Sequence, residues 1–247
     1  DVASSARRIA WNVDELCHAI QNAGLFGLWN FSKKVGDTIT RKRKPISTSF
    51  DTESDLSAEA VLRIALRTAK NKERFNPEII SKLRQVKLEV PEPWTPEIRK
   101  LFVDLLLTGH DAIPVFETLD QLDLFVPFLP EWEPARSRPQ RNAYHRFTVD
   151  RHLLETAAEA AKIADRVERP DLLVVGALLH DIGKPLPGDH TEIGIKLIKI
   201  IASRMGFPAS DVQVLIQMCE HHLLLPDIAT RRDLDDFDTI QTVGNAL

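Results

Sequence analysis

The chain has 247 residues, 43% of them hydrophobic, which is enough for one large or two ordinary domains with a sizeable core. Its 32 basic and 36 acidic residues give a formal net charge of −4, so the composition favours neither nucleic acid nor a membrane surface as a partner. The longest apolar run, Leu172 to Leu179, has 8 residues, far fewer than the roughly 18 needed to span a bilayer. The two cysteines lack CxxC spacing, and we expect a cytoplasmic protein.

Helical periodicity dominates the sequence and no segment alternates strictly, so the predicted fold class is all-α. Thr95 is a predicted cap, Pro96 suits a first helical position, and Gly109 is expected to end that helix. Other helices are predicted at about residues 1–22, at 57–70 and after the Asn76-Pro77 start. Residues 35–55, which include the basic run Arg41 to Lys44, are predicted to form a loop.

A stretch rich in proline, arginine and polar residues, 130–142, is the predicted junction between two units. We therefore predict one helical domain over residues 1–140 and a second over residues 141–247. Because the sequence begins at Asp1 without a methionine and stops at Leu247 without a helix terminator, we expect it to be a fragment of a longer protein.

Six of the eight histidines lie between residues 145 and 222, and this clustering is the most informative feature of the sequence. His152 follows Val149 on the apolar side of a predicted helix. His190 precedes an apolar stripe by one turn, and His222 continues another stripe, with His221 on its flank. His180 and Asp181 end the longest apolar run. Four helical segments thus direct imidazole or carboxylate groups towards a core.

Any one of these histidines alone is well explained as a buried side chain that hydrogen-bonds to a neighbour. Together they are not, because a buried unpaired carboxylate such as Asp181 costs several kcal/mol and each buried imidazole adds to that cost. A divalent cation supplies the missing counter-charge, and neutral imidazole and carboxylate are usual ligands of such a cation. The histidine pattern therefore predicts a metal site.

The order of these residues resembles the HD phosphohydrolase superfamily, whose metal site contains an early histidine, an HD pair, further histidines and a late aspartate. His180 in "ALLHDIGK" lies 28 residues after His152, and the segments "PGDH" and "HH" come later in the chain. The segments "NAYHRFTVDRH", "RPDLLVVGALLHDIGK" and "HHLLLPDIATRRDLDDFDT" are similar to the HD region of the bifunctional uridylyltransferase/uridylyl-removing family. Residues 92–129 and the opening "DVASSARRIAWNVDE" are similar to the helical segment that joins the two catalytic domains in that family.

This resemblance implies a metal-dependent phosphodiesterase that removes UMP from a tyrosine of the nucleotidylated PII signal protein. His180, Asp181 and Lys184 are the expected catalytic residues, with Lys184 either reaching a phosphate oxygen or remaining an exposed loop lysine. His145 is an alternative to His152 as first ligand, and one of His221 and His222 can be a solvated neighbour. The implied metal ligands are His152, His180, Asp181, His190, His221 and His222.

The implied cofactor is one or two divalent ions, Mg or Mn by resemblance, while the residue types also admit Fe, Zn or Co. The same ligands could instead remove AMP from PII, hydrolyse a free nucleotide, or belong to a catalytically silent regulatory module. The family's nucleotidyltransferase motif and its glutamine-sensing ACT domains do not occur in this sequence, so nucleotide transfer and glutamine control are not expected of this piece alone. Pro185 replaces a glycine usual in the family, and the late aspartate ligand is expected beyond Leu247.

Overall fold

A computed structural model describes residues 5–6, 8–13, 56–140, 147–233 and 235–246 of the chain. Within the first predicted helix, residues 5–6 and 8–13 are helical. The predicted loop at 35–55, its basic run, Cys17 and His145 lie outside the described residues.

The described ranges contain α-helices and short 3-10 helices but no β-strand, which confirms the all-α prediction. Short 3-10 helices lie at Gly109–Ala112, Pro130–Ala135 and Ala164–Arg166. The α-helices after residue 56 are α1 Ala58–Lys70, α2 Pro77–Leu83, α3 Pro96–Leu106, α4 Ile113–Gln121, α5 Val149–Ala161, α6 Pro170–Leu179, α7 His190–Arg204, α8 Ala209–Glu220, α9 Leu224–Arg231 and α10 Phe237–Ala246.

The start of α3 shows why these helices begin where the sequence indicates. The Thr95 hydroxyl accepts a hydrogen bond from the Ile98 backbone N–H at 3.2 Å, and Pro96 occupies the first turn, where its missing N–H costs nothing. The helix ends at Leu106, and Gly109 follows with a φ of +66°, in the left-handed region that favours glycine. The predicted positions of α1, α2 and the start of α3 are confirmed, whereas α3 ends three residues before Gly109.

An aromatic cluster forms the centre of the N-terminal part of the core. The Phe102 ring lies edge-on to Trp94, with centroids 5.2 Å apart, and Phe125 packs edge-on to Trp132 at 4.8 Å. Trp132, inside the predicted junction, is buried, and buried side chains from both sides of residue 140 form one hydrophobic core. The division at residue 140 stays a prediction.

The helix α6 carries the chain through the middle of this core. Its apolar residues face all directions and are buried nearly throughout, as expected of a helix enclosed by others. α6 packs against α5, α8 and α3, and α7 packs along α8. No described helix combines the length and the apolar composition needed to cross a membrane.

An ion-pair cluster around Arg169 joins the start of α6 to the start of α8. Its guanidinium lies 2.8 Å from an Asp171 oxygen and 2.6 Å from an Asp211 oxygen. Pairing with Arg169 lowers the pKa of both carboxyl groups below their ordinary value of 3.8. Their stabilising contribution is therefore present above pH 3.8 and is lost as the pH falls through the lower folded values.

Replacing Arg169 by alanine is expected to lower the free energy of unfolding by about 1 kcal/mol at neutral pH, the range for partly exposed ion pairs. The difference from the unmodified protein should shrink as the pH falls below 3.8, because both carboxylates then become protonated. Urea unfolding at a series of pH values measures this difference. A difference that stays constant from pH 7 to pH 3 would contradict the electrostatic origin.

Candidate metal centre

Asp181 lies at the centre of a cluster of four imidazoles, two residues past the end of α6, and only 2% of its side chain is exposed. Its Oδ2 atom lies 3.1 Å from Nε2 of His180 and 3.3 Å from Nε2 of His152. Its Oδ1 atom lies 3.4 Å from Nε2 of His222 and 3.8 Å from Nε2 of His190. The structure thus brings together five of the residues singled out in the sequence.

Local features of the helices explain why the histidine side chains point into the cluster. His152 lies in the first turn of α5 on the side that buries Val149 and Leu153. His190 opens α7, whose N-terminal N–H groups are capped by the Asp189 carboxylate at 2.9 Å. The ligand atoms fall into two groups that share Asp181, each with all its members within 4.8 Å of one another: His152, His180 and Asp181, and Asp181, His190 and His222.

Hydrogen bonds to backbone carbonyls fix the orientation of two of the imidazoles. His180 donates its Nδ1–H to the carbonyl oxygen of Ala177 at 2.8 Å, and His222 donates its Nδ1–H to that of Cys219 at 2.5 Å. In a neutral imidazole, Nε2 then carries a bare lone pair. This Nε2 lone pair of His180 faces a carboxylate oxygen, and either a proton or a metal ion between the two atoms makes that contact favourable.

The second group contains buried atoms that the described residues leave without a hydrogen bond: Oδ1 of Asp181, Nε2 of His190 and Nε2 of His222. Unpaired buried polar atoms are rare in folded proteins, and a bound ion is one established explanation. Imidazole nitrogen and carboxylate oxygen suit divalent first-row transition metals, Mn among them. The donor set therefore fits a divalent metal ion, and the cluster can hold one.

The lowered pKa of Asp181 also favours a bound cation. Burial raises the pKa of its carboxyl group, but the facing imidazoles of His152, His180 and His222 lower it by more, so the net pKa lies well below its usual value. The facing Asp181 carboxylate raises the pKa of His222. The cluster thus holds an ionised carboxylate and attracts positive charge.

Lys184 also belongs to this site. Its ammonium nitrogen lies 2.5 Å from Oδ2 of Asp181, and 22% of its side chain is exposed, so it is not an exposed loop lysine. The cluster opens into a cavity of about 550 Å³. Besides the cluster residues and Lys184, the cavity is lined by Thr156, Gly176, Ala177, Met218 and Leu223.

His221 is not brought into the cluster among the described residues, and its place in the predicted ligand set stays a prediction. α8 ends at Glu220, and His221 follows with φ −102° and ψ 10°, so the helix itself does not continue to His221 and His222. His221 belongs to neither ligand group among the described residues and does not line the cavity. Of the cavity residues that sequence analysis missed, Met218 lies four residues before His222 and could have been found by that spacing, whereas Gly176 carried no such signal.

Replacing His222 by alanine is expected to weaken divalent metal binding by about ten- to hundredfold, in the range known for residues that support a metal centre. The same replacement of His221 should leave the affinity unchanged, because that side chain lies outside both groups. Competition between protein and a chelating dye for Mn²⁺ measures both affinities. Equal losses in the two variants would contradict the placement of His222.

Residues 149–242 match the HD domain family, and this range contains all five clustered residues. The match and the geometry agree on the class of this region: residues 149–242 form an HD domain, which supports a hydrolase, and the cluster within it can hold a divalent metal ion.

Within that class, the chain is homologous to proteins named bifunctional uridylyltransferase/uridylyl-removing enzyme. The relative from Streptomyces coelicolor is 45% identical over 186 residues, which cover 75% of this chain and 22% of that protein. The relative from Mycobacterium tuberculosis is 36% identical over 252 positions, which cover 100% of this chain and 31% of that protein. The chain therefore spans less than a third of the length of these relatives.

Proposed function

We propose that this chain removes UMP from the uridylylated PII signal protein by metal-dependent hydrolysis of a phosphodiester, in the cytoplasm. The names of the relatives include a uridylyl-removing activity, and the buried Cys219 is a free thiol, compatible with a reducing compartment. The observation that carries the proposal is the buried Asp181 carboxylate among four imidazoles. Within the described residues, Oδ1 of Asp181 and the Nε2 atoms of His190 and His222 make no hydrogen bond.

The residues proposed to hold the metal are the two groups that share Asp181. A divalent cation, when bound, supplies Lewis acidity: it polarises a phosphoryl oxygen and makes a water molecule more acidic. Mg or Mn is proposed from the family resemblance, and the imidazole-rich set also accepts Fe, Zn or Co. Hydrogen bonds from His180 and His222 to backbone carbonyls keep their Nε2 atoms directed into the cluster.

Hydrolysis adds the oxygen of water to phosphorus and breaks the ester bond to the leaving oxygen, which receives a proton. Lys184 lies at the edge of the cluster, where its ammonium can neutralise charge on a phosphoryl oxygen. The cavity beside the cluster, about 550 Å³, has room for a nucleotide and its attached side chain.

A second candidate, removal of AMP from PII, is compatible with the composition of the cavity wall. Thr156 is the one polar side chain among the described wall residues outside the cluster and Lys184, and its hydroxyl donates to the His152 carbonyl oxygen at 2.8 Å. The described wall therefore offers little with which to recognise a base edge by hydrogen bonding.

Incubation of the protein with UMP-PII, AMP-PII and a free guanosine polyphosphate, each with Mn²⁺ or Mg²⁺, tests these alternatives. We expect release of UMP that stops on addition of a chelator and returns with excess metal. Faster release of AMP would support the second candidate. Metal binding without hydrolysis of any substrate would contradict both and favour a silent regulatory module.

A further inference from the structure

The ammonium of Lys184 is placed where it neutralises the carboxylate at the centre of the cluster. Its Nζ atom contacts Oδ2 of Asp181 at 2.5 Å, three residues along the chain. The same oxygen faces the Nε2 atoms of His180 and His152 at 3.1 Å and 3.3 Å. Oδ2 is thus both the acceptor for Lys184 and the oxygen nearest to the first ligand group.

A metal ion held by the first group would share this oxygen with the ammonium. Both cations would then lie within a few ångströms of each other in a largely buried site, where like charges repel strongly. Without a metal, the same ammonium offsets the charge of a carboxylate that is 2% exposed. The contact between Lys184 and Asp181 therefore stabilises the site without a metal ion and destabilises it when a metal ion is bound.

We propose that Lys184 is the built-in counter-cation of the metal-free site and that it opposes entry of a metal ion at the first group. This inference rests on the proposed metal-dependent function, which it deepens. When a metal ion binds, the contact between the Lys184 ammonium and Asp181 Oδ2 weakens, and the ammonium turns towards the cavity. Lys184 thereby sets the metal concentration at which the site fills.

Gln140 provides the alternative partner for the ammonium. Its Oε1 atom accepts a hydrogen bond from Lys184 Nζ at 3.5 Å, and its Nε2 donates to the carbonyl oxygen of Phe147 at 3.2 Å. Phe147 lies two residues before α5, the helix that carries His152. Gln140 is therefore a positioning residue that offers the ammonium a second acceptor and can retain it when Oδ2 binds a metal.

The test measures Mn²⁺ affinity by competition with a chelating dye, together with thermal unfolding of the metal-free and Mn²⁺-saturated protein. Lys184→Met is expected to bind Mn²⁺ about tenfold more tightly, since a like charge at this distance is removed. Its metal-free form should melt about 2–4 °C lower than the unmodified protein, and saturation with Mn²⁺ should abolish that difference. Lys199→Met, on the exposed side of α7, removes the same charge and should change neither quantity.

Gln140→Leu gives a second measurement with the opposite sign. Removing the alternative acceptor should weaken Mn²⁺ binding, because the ammonium then stays on Asp181. In the Lys184→Met background the Gln140→Leu replacement should have no effect, since no ammonium remains to be positioned.

The outcomes separate this inference from the function on which it rests. Weaker or unchanged Mn²⁺ binding by Lys184→Met would overturn the inference, because Lys184 would then only orient Asp181 in both states. An unmodified protein that binds no divalent metal would instead overturn the proposed function. If Lys184→Met does not fold without metal, the affinity of Gln140→Leu decides: unchanged binding overturns the inference and weaker binding supports it.

Discussion

Replacing Asp181 by asparagine is expected to lower divalent metal affinity by more than about 100-fold, beyond the loss usual for residues that only support a ligand. Asp181 is shared by both ligand groups, and its carboxylate is the negative charge within them. Asparagine keeps the shape of the side chain but offers one neutral oxygen and an amide nitrogen that cannot bind a cation. UMP release should fall with metal occupancy. Metal titration and the hydrolysis assay measure the two losses in the same preparation.

The matched control is Asp171→Asn, which removes the same charge from the first turn of α6, at the opposite end of that helix from Asp181. Its partner there is Arg169, so the change should cost some stability without altering metal affinity. Thermal unfolding distinguishes loss of the site from loss of the fold. If Asp181→Asn binds Mn²⁺ as tightly as the unmodified protein, Asp181 is not a ligand and the centre assigned here is wrong.

The cluster could be found from the sequence because local periodicity determines which way a helical side chain points. His152 shares the face of Val149 and Leu153, both buried, so its inward direction followed from spacing alone. Asp181 follows a helix that is apolar on every side, and such a helix must lie inside. An unpaired carboxylate is costly to bury. The inward-pointing imidazoles are therefore expected to lie around Asp181 in the common core.

What the sequence could not provide depends on contacts across the fold. The link between Gln140 and Lys184 joins residues 44 positions apart and has no periodic signal. The choice between His221 and His222 depended on where α8 ends, and helix ends are the least regular part of a helical pattern. The buried Asp150 accepts a hydrogen bond from the Ser137 backbone N–H at 2.7 Å and so fixes the turn that leads to Gln140.

The close approach of two backbones at Gly183 places His190 beside Asp181. A β-carbon at Gly183 would overlap the carbonyl oxygen of His190 and lie 2.7 Å from the backbone nitrogen of Gly194. Both obstacles are backbone atoms of α7, so they cannot turn aside as a side chain can. On its other side, Gly194 lies against Cys219 of α8, where a β-carbon would come within 2.9 Å of the sulfur. The first turn of α7 is therefore held closely between two neighbours.

Replacing Gly183 by alanine is expected to push this turn of α7 outwards and to move His190 away from the second ligand group. Overpacking of this kind lowers the free energy of unfolding by about 1–3 kcal/mol. Metal affinity should fall as well, because Asp181 and His222 lose the third member of their group. Urea unfolding measures the first effect, and competition with a chelating dye for Mn²⁺ measures the second.

Gly244→Ala is the matched control, because a β-carbon at that position in α10 meets nothing within 4 Å. Alanine there should raise the free energy of unfolding by about 0.5–1 kcal/mol, the usual gain inside a helix, with no change in Mn²⁺ binding. The two glycine replacements should thus shift stability in opposite directions, and only the one at Gly183 should alter the metal centre. If Gly183→Ala loses stability but keeps full Mn²⁺ binding, the backbone contact supports the fold without positioning His190.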